Sequence, residues 1–279
     1  MTSLLDVVIV SYQTRDLLRD CLRALATQDD VEWRAIVVDN ASTDGSARMV
    51  REEFPAALLI ENAENLGFAG GSNRGLAASD APYVMLLNSD ALVQPGCLGL
   101  LYAKLELEPG IGLLAARLLN PDGTPQPSCV PDRFPWVFSS PDRDCDLVWA
   151  SACALVVRRW CLEKIGPLDE QFGHTGEDYD WGLRARKANW RVALCAEAEV
   201  IHLGAATSAK VPDRAAEGLH FGRQHFYSKH FGLPGLLYAR AHSTVELLGD
   251  VLRGPAGRRA FYLGLLRRTL VYRPRARRG

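Results

Sequence analysis

The chain has 279 residues, 48% hydrophobic and 23% charged, with a net charge of −1. That length allows one large domain or two small ones, and the balance argues against a disordered chain, a fibrous repeat and a uniformly basic nucleic-acid binder. Charge is uneven along the sequence: residues 1–252 hold 23 basic and 33 acidic groups, whereas residues 253–279 hold nine arginines and no acid. The seven cysteines contain no Cys-x-x-Cys pair, which argues against a disulfide scaffold or zinc ribbon and for a reducing compartment. Asp6 interrupts the N-terminal apolar stretch, so no secretory leader is expected. No apolar run reaches the roughly 20 residues of a spanning helix. The expected location is the cytoplasm, or the inner face of the cell membrane as a peripheral protein.

Taken in chain order, Val7–Val10 is a β-branched run that reads as a buried strand. Thr14 is placed to cap a helix with Leu17, Leu18, Cys21, Leu22 and Leu25 at helical spacing. Ala35–Val38 reads as a second strand ending at Asp39. Asp44 is placed to cap a helix running to Phe54, which Pro55 stops. Leu58–Ile60 and Tyr83–Leu87 read as strands, the latter ending at Asn88-Ser89-Asp90. A helix is expected over Gly96–Glu108 and a strand over Ile111–Ala116. Residues 118–146 hold six of the fifteen prolines and read as a long loop. Ala154–Val157 reads as a strand, Gly173–Gly176 as a turn, Glu177–Ala188 as a helix, and Arg191–Leu194 and Val200–His202 as two short strands. Helical signals, rich in aromatic and basic residues, continue from about residue 216. This alternation implies an α/β fold with a doubly wound, mainly parallel sheet, whose ligands sit beyond the carboxyl ends of the strands. The expected division is an α/β domain over 1–215 and a basic helical extension over 216–279.

Three acidic signals stand at strand or loop ends. Asp39 opens the polar loop Asp39–Ser46, which also reads as a turn with a helix cap. Asp90 closes Asn88-Ser89-Asp90, where a carboxylate can hold a hard divalent cation or form an Asx turn. Glu177, Asp178 and Asp180 follow a glycine-flanked turn, more carboxylates than a helix N-terminus requires. The glycine-rich segment Asn65–Gly75 leads into a helix and could bring backbone amides to an anion. It fits neither the P-loop nor the dinucleotide fingerprint.

In this order, Val-Val-Asp-Asn-Ala-Ser-Thr-Asp-Gly-Ser, Asn-Leu-Gly-Phe-Ala-Gly-Gly-Ser-Asn-Arg-Gly, Leu-Leu-Asn-Ser-Asp and Gly-Glu-Asp-Tyr-Asp-Trp-Gly-Leu-Arg strongly resemble glycosyltransferase family 2 over roughly residues 5–210. Within it the sequence looks most like the rhamnosyltransferase-type members. Ser11-Tyr12-Gln13 matches an opening motif that usually reads Ser-Tyr-Asn. The resemblance implies a GT-A fold, a nucleoside-diphosphate sugar donor (dTDP- or UDP-linked) and inversion at the anomeric carbon. It implies that Asp39 contacts the base and ribose, and that Ser11, Tyr12, Asn65, Gly67, Phe68, Gly71, Asn73, Asn88 and Arg184 belong to the donor site. It further implies that Asp90, with His202, holds Mg²⁺ or Mn²⁺, that Asp178 is the catalytic base with Glu177 beside it, and that Trp149 lies at the acceptor.

The implied reaction moves a sugar, with L-rhamnose the leading candidate, to a hydroxyl of a glycan or lipid-linked acceptor. It needs a base, a cation and a closing segment, for which residues 118–146 are the candidate. A sugar-phosphate nucleotidyltransferase and a non-catalytic nucleotide-sugar-binding protein remain alternatives. His220, His225 and His230 recur every five residues, which does not place them on one helical face, and read as structural. In the extension, apolar residues between Leu236 and Tyr272 lie among arginines, a pattern of helices that rest on anionic lipid. A helix packed on the catalytic domain gives the same pattern. No nucleic-acid partner is expected.

Overall fold

The computed structural model describes residues 4–132, 137–172, 175–204 and 212–272. Its elements in chain order are β1 (Leu5–Ser11), α1 (Arg15–Leu25), β2 (Trp33–Asp39), α2 (Ser46–Glu53), β3 (Leu58–Glu61), α3 (Gly67–Ala78), β4 (Tyr83–Asn88), β5 (Ala91–Val93) and α4 (Cys97–Leu107). There follow β6 (Ile111–Leu119), β7 (Cys129–Pro131), β8 (Cys145–Ala150), β9 (Ala154–Arg158), α5 (Arg159–Ile165), α6 (Glu177–Lys187), β10 (Arg191–His202), α7 (Pro212–Arg253) and α8 (Arg259–Val271).

The chain divides into two compact units, one of residues 1–168 and 178–209, the other of residues 169–177 and 210–279. The first unit holds the sheet, in the order β3-β2-β1-β4-β9-β6-β10-β8-β7, with β5 paired to β10. Strands β1, β2, β3 and β4 run parallel, β9 runs against both β4 and β6, and β10 runs parallel to β6. The carboxyl ends of β1, β2, β4, β6 and β10 therefore share one edge.

The sheet is apolar on both faces because alternate side chains feed separate cores. Val7, Ile9, Val37, Met85 and Leu87 pack with α1, α2 and α4, whereas Val8, Ile36, Val38, Val84 and Leu86 pack on the opposite face with Leu76 and Trp181. The chain order reverses at β1, which lies between β2 and β4. Such a switch point opens a crevice at the carboxyl edge.

Several local expectations change. Thr14 precedes α1 but makes no side-chain cap bond. The expected strands at 191–194 and 200–202 are one strand, β10, interrupted against β6 between Cys195 and Glu199. Residues 118–146 are not structureless: β7 and part of β8 lie there, and Leu119 bridges Pro125. Gly173 and His174 of the expected turn, residues 133–136 of the proline-rich segment, and residues 273–279 lie outside the described residues. All seven cysteines are free, and burial pushes the thiols of Cys129 and Cys161 up to about 12.

In the second unit, Asp169 accepts hydrogen bonds from Lys229 Nζ at 2.7 Å and His225 Nε2 at 3.2 Å. Phe172 meets the His225 ring edge-on at 4.6 Å. The α7 helix breaks at Gly232, whose φ of 64° leaves the helical region. Pro234 follows in the first turn after the break, where its missing N–H costs no helical bond.

Candidate functional site

Parallel pairing sets Ser11 opposite Asp39 and Val10 opposite Asn88, so residues from three distant motifs meet at one edge. The Asp39 side chain is buried. Its Oδ2 accepts the Ser42 N–H at 2.9 Å, while Oδ1 is buried with no hydrogen-bond partner among the described residues. An unpaired buried carboxylate oxygen is costly, and a ligand O–H or N–H would satisfy it. Ser11, Thr14 and Ser89 form a hydroxyl chain, with successive Oγ distances of 3.0 Å. Sequence reading missed this chain because it joins residues 75 apart. Tyr12 is exposed beside it.

Gln13 adopts φ 58° and its N–H donates to Ser42 Oγ. The left-handed region favours Asn among non-glycine residues, which accounts for the usual Asn that Gln replaces here. The cap position of α2 is Gly45, not the expected Asp44; the Asp44 carboxylate instead accepts the Arg15 N–H at Oδ2 and the Ser46 N–H and Oγ–H at Oδ1. One carboxylate thereby ties the starts of α1 and α2.

The glycine-rich segment is helix α3, not an anion loop throughout. Asn65 Oδ1 accepts the Gly67 N–H, and the Gly67 carbonyl accepts from the buried Asn40. Phe68 packs partly buried on the core. A Cβ on Gly71 would lie 2.7 Å from Val10 Cγ1. A Cβ on Gly75 would lie 2.3 Å from Val8 Cγ1. These glycines let α3 approach β1. Asn73 is likewise turned inward, its amide exchanging two bonds of 2.9 Å with the backbone of Leu168.

At the end of β4, Asn88 Nδ2 lies 3.5 Å and Asp90 Oδ1 3.4 Å from His202 Nε2. His202 Nδ1 is 2.8 Å from Gln126 Oε1. Gln126 Nε2 donates to Asn120 Oδ1 at 3.0 Å, which orients the amide so that its oxygen faces the ring. The proton therefore sits on Nδ1, and the Nε2 lone pair points toward Asp90 and Asn88. An imidazole nitrogen beside a carboxylate and an amide is a donor set that fits Mn²⁺ or Mg²⁺ with substrate oxygens and water completing the shell. No cluster of three or more His, Cys, Asp or Glu ligands occurs among the described residues, so the protein's share of such a shell is small.

The backbone joins this corner to Asp178: Asn88 N–H donates to the Cys153 carbonyl at 2.9 Å, and the neighbouring Ala152 N–H supports the Asp178 carboxylate. Burial pushes the Asp178 carboxyl up to about 6, against the opposing pull of Trp149 and of the Tyr179 and Ala152 N–H groups. The Trp149 indole N–H falls short of hydrogen-bond geometry and has no other partner among the described residues. The Trp149 ring stacks on Tyr179 at 4.3 Å and meets Phe138 edge-on at 5.3 Å. Asp178 thus sits by an aromatic wall. Arg184 does not reach the strand-end site: it pairs with buried Asp180 and donates to the carbonyls of Ile165, Gly166 and Pro167. It clamps α6 to the chain that follows α5. Glu177 opens α6, buried, in the segment assigned to the second unit.

Residues 6–136, which carry the ends of β1, β2 and β4, match Glycosyl transferase family 2. The protein is a glycosyltransferase, and those residues are its family 2 domain. An N-acetylglucosaminyl-diphospho-decaprenol L-rhamnosyltransferase of Mycobacterium tuberculosis is 28% identical to this glycosyltransferase, over 76% of this chain and 80% of the relative. The O-antigen biosynthesis protein RfbC of Myxococcus xanthus is 26% identical over 88% of this chain and 21% of its own. Among solved structures, S. aureus TarS 1-349 superposes with a TM-score of 0.62 at 18% identity, covering 97% of this chain and 81% of that one. The mannosyltransferase PcManGT of Pyrobaculum calidifontis, in complex with GDP-Man and Mn²⁺, gives 0.61 at 19% identity, covering 97% and 88%. These likenesses establish the GT-A fold of this glycosyltransferase.

Proposed function

We propose that this glycosyltransferase moves a sugar from a nucleoside-diphosphate donor to a hydroxyl of a glycan or lipid-linked acceptor in one inverting displacement. L-Rhamnose on dTDP is the first donor to test, because the mycobacterial relative is a rhamnosyltransferase acting on a polyprenyl-linked N-acetylglucosamine. The observation that carries the reading is the convergence of Asp39, Asn88, Asp90 and His202 at one sheet edge, with Asp178 held beside Asn88 through Ala152 and Cys153.

In this reading Asp39 accepts an O–H or N–H of the nucleoside at its unpaired oxygen. Asp90 and His202 would hold Mg²⁺ or Mn²⁺ at the donor site. Such a cation, when bound, offsets the charge of the leaving nucleoside diphosphate. Asp178 takes the proton of the acceptor hydroxyl as that oxygen attacks the anomeric carbon. A carboxyl raised to about 6 is a stronger base than an ordinary aspartate and still ionised at neutral pH. Trp149 and Tyr179 offer the flat apolar surface on which a sugar ring stacks. Inversion follows from one displacement on the face opposite the diphosphate, with no enzyme nucleophile.

The test is transfer to a polyprenyl-diphosphate N-acetylglucosamine with dTDP-rhamnose, UDP-N-acetylglucosamine and GDP-mannose in parallel. Glycosylated product from one donor, lost in EDTA and restored by Mn²⁺, is the expected result. Undiminished product in EDTA overturns the cation assignment. Calorimetry with TDP and UDP checks Asp39: unchanged affinity in Asp39→Ala removes it from the nucleoside site.

A further inference from the structure

The second unit leaves a long apolar face uncovered. After the break at Gly232, residues 233–253 of α7 bury Ala239, Ser243 and Leu247 completely, and α8 buries Leu265 and Thr269. These small and apolar positions recur at helical spacing and pack α7 with α8. Leu247 and Leu265, which the sequence pattern placed in a surface stripe, are thus interior. The exposed face carries a different set, Leu233, Leu237, Ala241, Val245, Leu248 and Leu252. Val245 and Leu252 are 71% and 75% exposed. Three- and four-residue spacings put all six on one side, an apolar band about 28 Å long at 1.5 Å per residue.

No charged residue falls within that band, and the chain beyond it is basic without exception. Arg253, Arg259 and Arg267 are exposed and form no ion pair among the described residues. On α8, Arg259 and Arg267 stand with exposed Leu263, Leu270 and Val271. The sequence adds four arginines after Tyr272 and no acidic residue after Asp250. No described helix is long and apolar enough to cross a membrane. We propose that this face rests on an anionic lipid surface, α7 lying in the interface along its exposed leucines while the arginines meet lipid phosphates. A second copy of the chain fits the charge less well, because a symmetric contact sets the like-charged arginine segments near one another. Lipid phosphates neutralise them. Such a seat would bring the enzyme to the lipid-linked acceptor proposed above.

Vesicle flotation of the full chain reads attachment without reading transfer, so its result is separate from the fate of the donor and acceptor assignments. The chain is expected to float with phosphatidylcholine–phosphatidylglycerol vesicles at low salt, and to be released by high salt or by omitting phosphatidylglycerol. Leu237→Glu and Val245→Glu are each expected to cut the floated fraction at least about fivefold. Their thermal unfolding is followed alongside, with Leu237→Asn as the milder substitution should a glutamate variant misfold. Absent flotation, equal flotation with neutral vesicles, or undiminished flotation of the folded variants overturns the proposal. So does a dimer in vesicle-free solution that the same substitutions dissociate.

Discussion

Gln126 Oε1 and His202 Nδ1 lie 2.8 Å apart, and this single contact decides which ring nitrogen faces Asp90. A ring held this way keeps its lone pair on Nε2 at no further ordering cost when a cation binds. Outer hydrogen bonds of this kind tune ligand affinity by about 10–100-fold. Gln126→Leu should therefore weaken Mn²⁺ binding in the presence of nucleotide by about that factor, read by Mn²⁺ electron paramagnetic resonance. Affinity for the nucleotide without metal should stay unchanged. Equal Mn²⁺ affinity in both proteins would remove Gln126 from this role.

Asp178 couples activity and stability in opposite senses. In the proposed role of base it must be ionised, so turnover should rise with pH through about 6 and level above it. Its raised carboxyl means the folded chain holds the proton more tightly than the unfolded chain. Stability therefore falls as pH climbs from the ordinary value of 3.8 to about 6. Asp178→Asn should lower transfer by at least about 10²-fold yet raise Tm in mildly alkaline buffer. A lower Tm there would contradict the burial argument.

The α3–β1 contact gives a mechanical test. Gly75→Ala would set a Cβ 2.3 Å from Val8 Cγ1, and overpacking of this kind costs about 1–3 kcal/mol. Denaturant unfolding should register that loss. Val8→Ala in the same chain should recover stability beyond the additive sum of the two single changes.

In the second unit, burial would raise the Asp169 carboxyl, but hydrogen bonds from His225 and Lys229 win and hold it well below the ordinary carboxylate range. That stabilisation is complete above the usual carboxylate value and fades as pH falls through the lowered one. Asp169→Asn should cost about 1–3 kcal/mol near neutrality. The gap from the parent chain should narrow in acid, as followed by thermal unfolding.

The strand-end chemistry was legible in the sequence because buried parallel strands announce themselves as apolar runs, and their last residues fall where the crevice lies. Val7–Val10, Ala35–Val38 and Tyr83–Leu87 placed Asp39 and Asn88 correctly at strand ends. Gly71 and Gly75 were ambiguous for a physical reason: a glycine that admits a phosphate and one that admits a neighbouring strand are the same residue. Only the seating of α3 on Val8 and Val10 separates the two. Arg184 had a similar ambiguity, since its partners at 165–167 are remote in sequence. Gln126 gave no signal, lying in a proline-rich stretch 76 residues from the histidine it orients.

The interruption in β10 has a consequence for how this corner tolerates change. Cys195 pairs with Ala116 and Glu199 with Arg117, so three residues, 196–198, are interposed where the partner strand advances by one. Side chains alternate along a strand, and the odd-numbered insert fixes the parity of everything after it. Losing one of the three would exchange His202 for its neighbour and present an aliphatic side chain to Asp90. Losing two would bring Gly204 to that place, on the right face but without a side chain. The length of the segment between 195 and 199 is thus a reading frame for the site: it decides which residue stands opposite Asp90.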